Sequence, residues 1–165
     1  MLMLVSQRED HKHNFGRTRE LADLLEPLVD TAKPQPSFGP SLLRFYAAES
    51  GLKYLLSKNL MIPFEYEIRD QTMPADTSDP SFPRKVEGYS HKLDQMLKRL
   101  KVSAARVPIP TGPFKTVGGY NGGQSFRIHE AHEAWRYGLE VDPDDQAALG
   151  KFIADILSYL EDEIL

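Results

Sequence analysis

Apolar residues recur at helical spacing in two long segments of the chain, which are separated by stretches rich in proline and glycine. These segments are residues 41–60, SLLRFYAAESGLKYLLSKNL, and residues 142–165, DPDDQAALGKFIADILSYLEDEIL. Ser41 and Asp142 are expected to cap the two helices, because their side-chain oxygens can accept hydrogen bonds from free amide groups. Pro143 suits the first turn that follows Asp142. The pattern therefore predicts two core helices.

Three shorter segments, residues 16–32, 86–102 and 127–138, show the same periodicity, and Pro27 should end or kink the first of them. Residues 61–88 and 103–124 are too rich in proline, glycine and polar residues for a helix, so we expect two long loops. The predicted fold class is all-α: a four-helix up-and-down bundle with an additional N-terminal helix and two long loops.

A chain of 165 residues is long enough for one compact domain with its own core. Within it, residues 1–40 should form the N-terminal helix and a linker, and residues 41–165 the helical bundle. The side chains expected in the core are Phe45, Leu52, Leu55, Leu93, Leu97, Leu100, Trp135, Phe152, Ile156 and Leu160.

The chain contains no cysteine, which excludes disulfides, thiolate zinc sites and cysteine nucleophiles. No apolar run approaches the roughly 20 residues of a membrane-spanning helix, so we expect no membrane partner. The N-terminal stretch MLMLVSQRED reaches charged residues too early for a secretory signal. Together these features predict a cytoplasmic protein.

Charge is distributed unevenly along the chain, whose net charge is -4. Residues 84–136 hold ten lysines and arginines against four acidic residues, whereas the remainder holds ten against twenty. This asymmetry predicts a local surface that attracts anions, although the same charges could be spread over solvated helix faces. The basic side chains expected on such a surface include Lys92, Lys98, Arg99, Lys101 and Arg136.

The densest group of chemically active residues is RIHEAHEAWRYG, residues 127–138, which follows a glycine-rich run. On an ideal helix His132 borders the apolar stripe, and Arg127 lies roughly 140° away from it. If Arg127 instead belongs to the end of the loop, its side chain can reach back to His132. An imidazole exchanges protons at neutral pH and a guanidinium binds phosphate oxygens, so this pair suits phosphodiester chemistry.

Two other interpretations of this segment stay open. His129, His132 and Glu133 could ligate zinc together with His91, although the spacing matches no complete zinc signature. Alternatively His132 is a packing residue of an amphipathic helix. Trp135 and Tyr137 are expected as core anchors, and His11 and His13 as part of a mobile terminus without a role.

Three stretches together resemble the HEPN superfamily: RFYAAESGLKYLL in the second helix, GYSHKLDQMLKRL in the third, and HEAWRYG in the fourth. The resemblance is scattered over residues 41–160. It implies a four-helix bundle, often dimeric, of the kind found in bacterial toxin, phage-defence and RNA-processing systems. Catalytic members are metal-independent ribonucleases in which an arginine is followed, four to six residues later, by a histidine.

That motif falls on Arg127 and His132, with His129 in reserve for orientation. Ile128 stands where active members usually carry a polar residue. The resemblance implies a cofactor-free RNA endonuclease or RNA-binding component that is active as a homodimer. His132 would act as general acid and base, and Arg127 would stabilise the phosphoryl transition state. The five basic residues named above are then predicted to bind RNA. The alternative function is a non-catalytic interaction module that docks on a partner protein.

Overall fold

The computed structural model describes residues 7–28, 38–118 and 122–165. Over these residues the chain is mostly helical, which confirms the all-α class. The helices are α1 (Arg8–Leu25), α2 (Phe38–Leu60), α3 (Glu65–Arg69), α4 (Leu93–Arg99), α5 (Ala131–Arg136) and α6 (Pro143–Ile164). Short 3-10 turns cover Glu26–Leu28, Val86–Tyr89 and Ile128–Glu130, and two antiparallel strands, β1 (Phe114–Lys115) and β2 (Ser125–Phe126), form a small hairpin.

Helix α2 is the central element, and α1, α4, α5 and α6 all pack against it. Its inward side chains belong to one continuous cluster of buried residues that also receives side chains from every helix around it. Nine of the ten predicted core residues are buried, and Leu100 is partly buried against the same cluster. The apolar periodicity therefore identified the core correctly.

Helices α2 and α6 approach each other closely at Gly51. A Cβ atom at this position would lie 2.5 Å from Cδ1 of the fully buried Leu160. Because real Cβ contacts are much longer, the glycine hydrogen is what lets the isobutyl side chain fit between the helices. At the start of α6, the Asp142 carboxylate accepts hydrogen bonds from the amides of Asp144 and Asp145 at 3.0 and 3.3 Å, which confirms the predicted cap.

Helix α1 begins eight residues before the predicted start and is a major partner of α2 rather than a mobile terminus. Phe15 is buried, Asn14 donates to the Ser50 hydroxyl at 2.9 Å, and Nε of Arg8 donates to the Ser57 hydroxyl at 2.7 Å. The segment REDHKHN lacks apolar spacing, so its helical structure depends on these contacts with α2. Ser41 lies inside α2, three residues after its start, and does not cap it.

The predicted third and fourth helices are interrupted and short. Residues 86–102 contain a 3-10 turn and then α4, separated at Ser90, whose φ of 48° lies in the left-handed region. Residues 127–138 contain the turn Ile128–Glu130 and the six-residue α5, and Gly138 follows with φ 67°. Long helices are therefore confined to α1, α2 and α6 within the described residues.

The two predicted loops are partly ordered by the core. Ile62 and Phe64 are buried on either side of Pro63, and α3 follows them. Residues 61–88 are therefore anchored to the core and partly helical instead of forming one long loop. In the second loop, β1 pairs with β2 and Thr116 pairs with Val141 just before α6. None of the helices in the described ranges is both long and apolar enough to cross a membrane.

Candidate functional site

A surface cavity of about 790 Å³ lies beside the predicted motif. The start of α4, the loop before β1 and the turn that follows β2 form its walls, and its lining residues include Lys92, Asp94, Arg127 and His129. Two permanent cations therefore face a single carboxylate. A second cavity, of about 360 Å³ between α1, α2 and α6, holds two arginines that are both paired with carboxylates.

The hairpin determines where Arg127 lies. Phe114 and Phe126 are buried side by side, with their ring centroids 5.8 Å apart, and Arg127 directly follows Phe126. The Arg127 amide donates to the Glu130 carboxylate at 2.7 Å, which holds the first turn in place. Arg127 thus sits at the end of the loop, one of the two placements that the sequence left open, and its side chain is exposed at the cavity.

His132 lies apart from Arg127, inside the protein. It is 6% exposed, and its ring packs against Phe45 at 5.3 Å and against His91 at 4.0 Å between centroids. Its Nδ1 is buried and has no hydrogen-bond partner among the described residues. Burial, followed by the neighbouring His91, lowers the pKa of His132, so the imidazole is neutral at pH 7. The cavity wall contains Arg127 and His129 but not His132.

His91 also contacts an ion pair formed by Glu49 and Lys53 of α2. Nδ1 of His91 lies 2.7 Å from Oε2 of Glu49, and the Lys53 ammonium lies 2.5 Å from Oε1 of the same carboxylate. Glu49 and Lys53 are both largely buried on α2. Glu49 was not among the predicted site residues. A glutamate on the apolar side of a core helix, four residues before a lysine, nevertheless indicates a buried ion pair.

The zinc interpretation receives no support from this arrangement. His129 lines the cavity, whereas His132 is buried against His91, whose Nδ1 contacts Glu49. In the part of the chain that the structure describes, no group of three or more histidine, aspartate or glutamate side chains could hold a metal ion.

Of the residues predicted to bind RNA, Lys92 lines the cavity. Lys98, Lys101 and Arg136 are exposed but do not belong to the cavity lining. Arg99 is 13% exposed, because Asp76 and Ser78 accept its hydrogen bonds at 2.8 and 2.7 Å and its guanidinium lies 5.5 Å above the Phe82 ring. The Arg99 guanidinium therefore pairs with groups of the protein itself and is largely shielded from solvent.

Two aromatic predictions have opposite outcomes. Trp135 is buried, and its Nε1 donates to Gln146 at 2.8 Å, which connects α5 to α6. Tyr137 is wrong as a core anchor, because 68% of it is exposed. It follows the last residue of α5, and the Arg136 guanidinium lies 5.8 Å from its ring centroid.

We expect the folded state to lose stability as the pH falls below about 6.5, the ordinary pKa of histidine. Burial lowers the pKa of His11 as well as that of His132, and neighbouring cations or imidazoles add to the effect. The unfolded chain then binds more protons than the folded chain between the ordinary and the lowered pKa. Stability is complete above this window and decreases through it.

Thermal unfolding between pH 7.5 and 5.5 measures this effect. In His132→Phe, which retains an aromatic ring, the melting temperature should depend less on pH than in the unchanged protein. The exposed His13→Phe variant provides the matched control and should retain the full dependence. An equal pH dependence in all three proteins would contradict the assignment to His132.

Comparison of the chain with protein-family models, curated proteins and solved structures found no match. The cationic and imidazole side chains that line the cavity are therefore the features of this chain from which a function can be inferred.

Proposed function

We propose that this protein binds RNA and cleaves it without a metal ion, as a HEPN-like domain. One observation carries the proposal: Lys92, Arg127 and His129, which come from two separate parts of the chain, line the same open cavity. The two cations can neutralise a phosphate, and the imidazole can exchange a proton beside it. This combination matches the requirements of phosphodiester cleavage.

Each group has a distinct part in the proposal. The planar guanidinium of Arg127 can donate two hydrogen bonds to the same phosphate, and the Lys92 ammonium acts as a point charge. His129 is assigned as the general acid that protonates the leaving oxygen. We do not assign proton transfer to His132, because a 6% exposed imidazole cannot touch a polymeric substrate.

The surroundings of the cavity favour an extended single strand over a compact ligand. The cavity is open to the surface, and Ile109, Pro110 and Pro113 supply apolar lining in addition to the charged groups. Such a lining can contact sugar or base while the cations hold the phosphate. The resemblance to HEPN proteins supports a symmetric homodimer and a place in a bacterial toxin or phage-defence system, both of which belong to this proposal.

Salt-dependent binding of a fluorescently labelled single-stranded RNA tests the proposal. Affinity should fall linearly with salt on logarithmic axes, because phosphate contacts release counterions. Lys92→Ala and Arg127→Ala should each weaken binding and reduce the slope by about one. Lys151→Ala, which removes an exposed lysine on α6 paired with Asp155, provides the matched control and should change neither quantity.

Cleavage of the same RNA is measured with EDTA present. Products should appear with the unchanged protein and decrease in the Arg127 variant. If the protein binds no RNA at any salt concentration, or if the cavity variants bind as well as the control, the proposal fails. A non-catalytic interaction module then becomes the better account of the chain.

A further inference from the structure

His91 has the contacts of an oriented proton acceptor. Nδ1 lies 2.7 Å from Oε2 of Glu49, and because a carboxylate can only accept, we assign the ring proton of the neutral imidazole to Nδ1. This tautomer leaves a lone pair on Nε2, which makes no hydrogen bond with the described residues and is not enclosed. The side chain as a whole is 39% exposed.

The orientation of this ring is fixed from two sides. Lys53 holds the second oxygen of Glu49 at 2.5 Å, and both side chains are largely buried, so the carboxylate cannot turn away. The neutral His132 ring lies against the other side of His91 and is backed by Phe45. A histidine held by a carboxylate in one tautomer is the usual arrangement of a general base.

His91 is next in the chain to a residue that lines the cavity. Lys92, the next residue, lines that cavity, and α4 contacts the 3-10 turn that carries His129. One turn of chain later, His132 packs against His91. His91 is therefore the chain neighbour of a lining residue, and the Glu49–His91 pair adjoins the proposed RNA site without lining the cavity itself.

We propose that His91 is the general base of the RNA cleavage proposed above, an assignment that rests on that function, and that Glu49 and His132 are positioning residues. Nε2 of His91 removes the proton of the ribose 2′-hydroxyl, whose oxygen forms a bond to phosphorus. The bond from phosphorus to the 5′-oxygen breaks, and protonated His129 gives that oxygen its proton. The products are a 2′,3′-cyclic phosphate and a 5′-hydroxyl, and proton exchange with water restores both imidazoles.

Single-turnover cleavage of RNA in EDTA tests this assignment, with RNA affinity measured separately. His91→Ala should reduce the cleavage rate by about 10²- to 10⁴-fold, as expected for loss of an acid or base, and leave affinity within about twofold. Added imidazole should restore part of the lost rate. Glu49→Gln should give a smaller loss without a change in affinity, and His13→Ala should cleave as the unchanged protein does.

A positioning role alone would not permit rescue by imidazole or remove the acidic limb of the pH–rate profile, and His91→Ala should show both. If Ala at this position unfolds the protein by circular dichroism, the nearly isosteric His91→Asn takes its place. The assignment is overturned if the variant cleaves at the unchanged rate, or loses RNA affinity in parallel with cleavage. Those outcomes leave the proposed function intact, whereas an unchanged protein that cleaves no RNA overturns both.

Discussion

Replacing Arg127 by alanine should reduce RNA cleavage by about 10²- to 10³-fold, the usual cost of losing a donor that stabilises transition-state charge. The side chain is exposed at the cavity, and its backbone amide, which bonds to Glu130, is unaffected by the change. We therefore expect the melting temperature to remain nearly constant. Cleavage rates under saturating protein separate this effect from the accompanying loss of affinity.

The exposed Arg17 on α1 supplies the matched control, because Arg17→Ala removes the same charge at a distance from the cavity. Arg127→Lys keeps the charge but not the planar fork, so its rate should fall between those of the alanine variant and the unchanged protein. Equal rates for Arg127→Ala and Arg17→Ala would show that Arg127 takes no part in the reaction.

Replacing Arg99 by methionine should destabilise the fold by about 3 kcal/mol, because it leaves a largely buried carboxylate without its partner. Asp76 and Arg99 are each 13% exposed and 2.8 Å apart. Although burial alone would raise the pKa of Asp76, hydrogen bonds from Ser78 and Arg99 lower it. The pair joins residues 76–78 to α4, so its loss should release this part of the long loop.

Urea unfolding measures the change, and Lys98→Met is the control. Lys98 is 62% exposed and lies 3.9 Å from Asp94, so its loss should alter stability by no more than about 0.5 kcal/mol. Where the folded Arg99 variant still forms, it should bind RNA with unchanged affinity. A loss of affinity greater than that of Lys98→Met would instead place Arg99 in the RNA site.

Local rules predicted the parts of the fold that depend on neighbouring residues. Asp142 caps α6 and Pro143 begins it, because both effects act within one turn. The beginning of α1 was missed, although the Asp10 carboxylate accepts a hydrogen bond from the Gln7 amide at 2.8 Å within the first turn. Its contacts with α2, such as that of Arg8 with Ser57, 49 residues away, could not be found by local rules. Helix lengths were overestimated at Ser90, where the chain takes a left-handed conformation that apolar spacing does not reveal.

In the candidate site, too, residues close in the chain could be predicted together, whereas contacts between distant residues could not. Arg127 and His129 could be selected together because they are close in the chain, and the structure places both in one cavity wall. Glu49 and His91 are 42 residues apart, so only the folded chain shows that they are hydrogen-bonded. His132 was chosen for its chemistry, and the apolar periodicity placed it only at the border of the apolar face. Its burial results from packing against Phe45 of α2, which the periodicity does not show.

The close contact between Gly51 and Leu160 restricts how this sequence can diverge. Because an added Cβ atom would lie 2.5 Å from Cδ1 of Leu160, a side chain at position 51 requires Leu160 to move or to become smaller. The opposite order of changes is easier, because a shorter residue at 160 leaves a cavity that costs stability without causing a clash. We therefore expect positions 51 and 160 to vary together, with the residue on α6 restricting which substitutions α2 accepts.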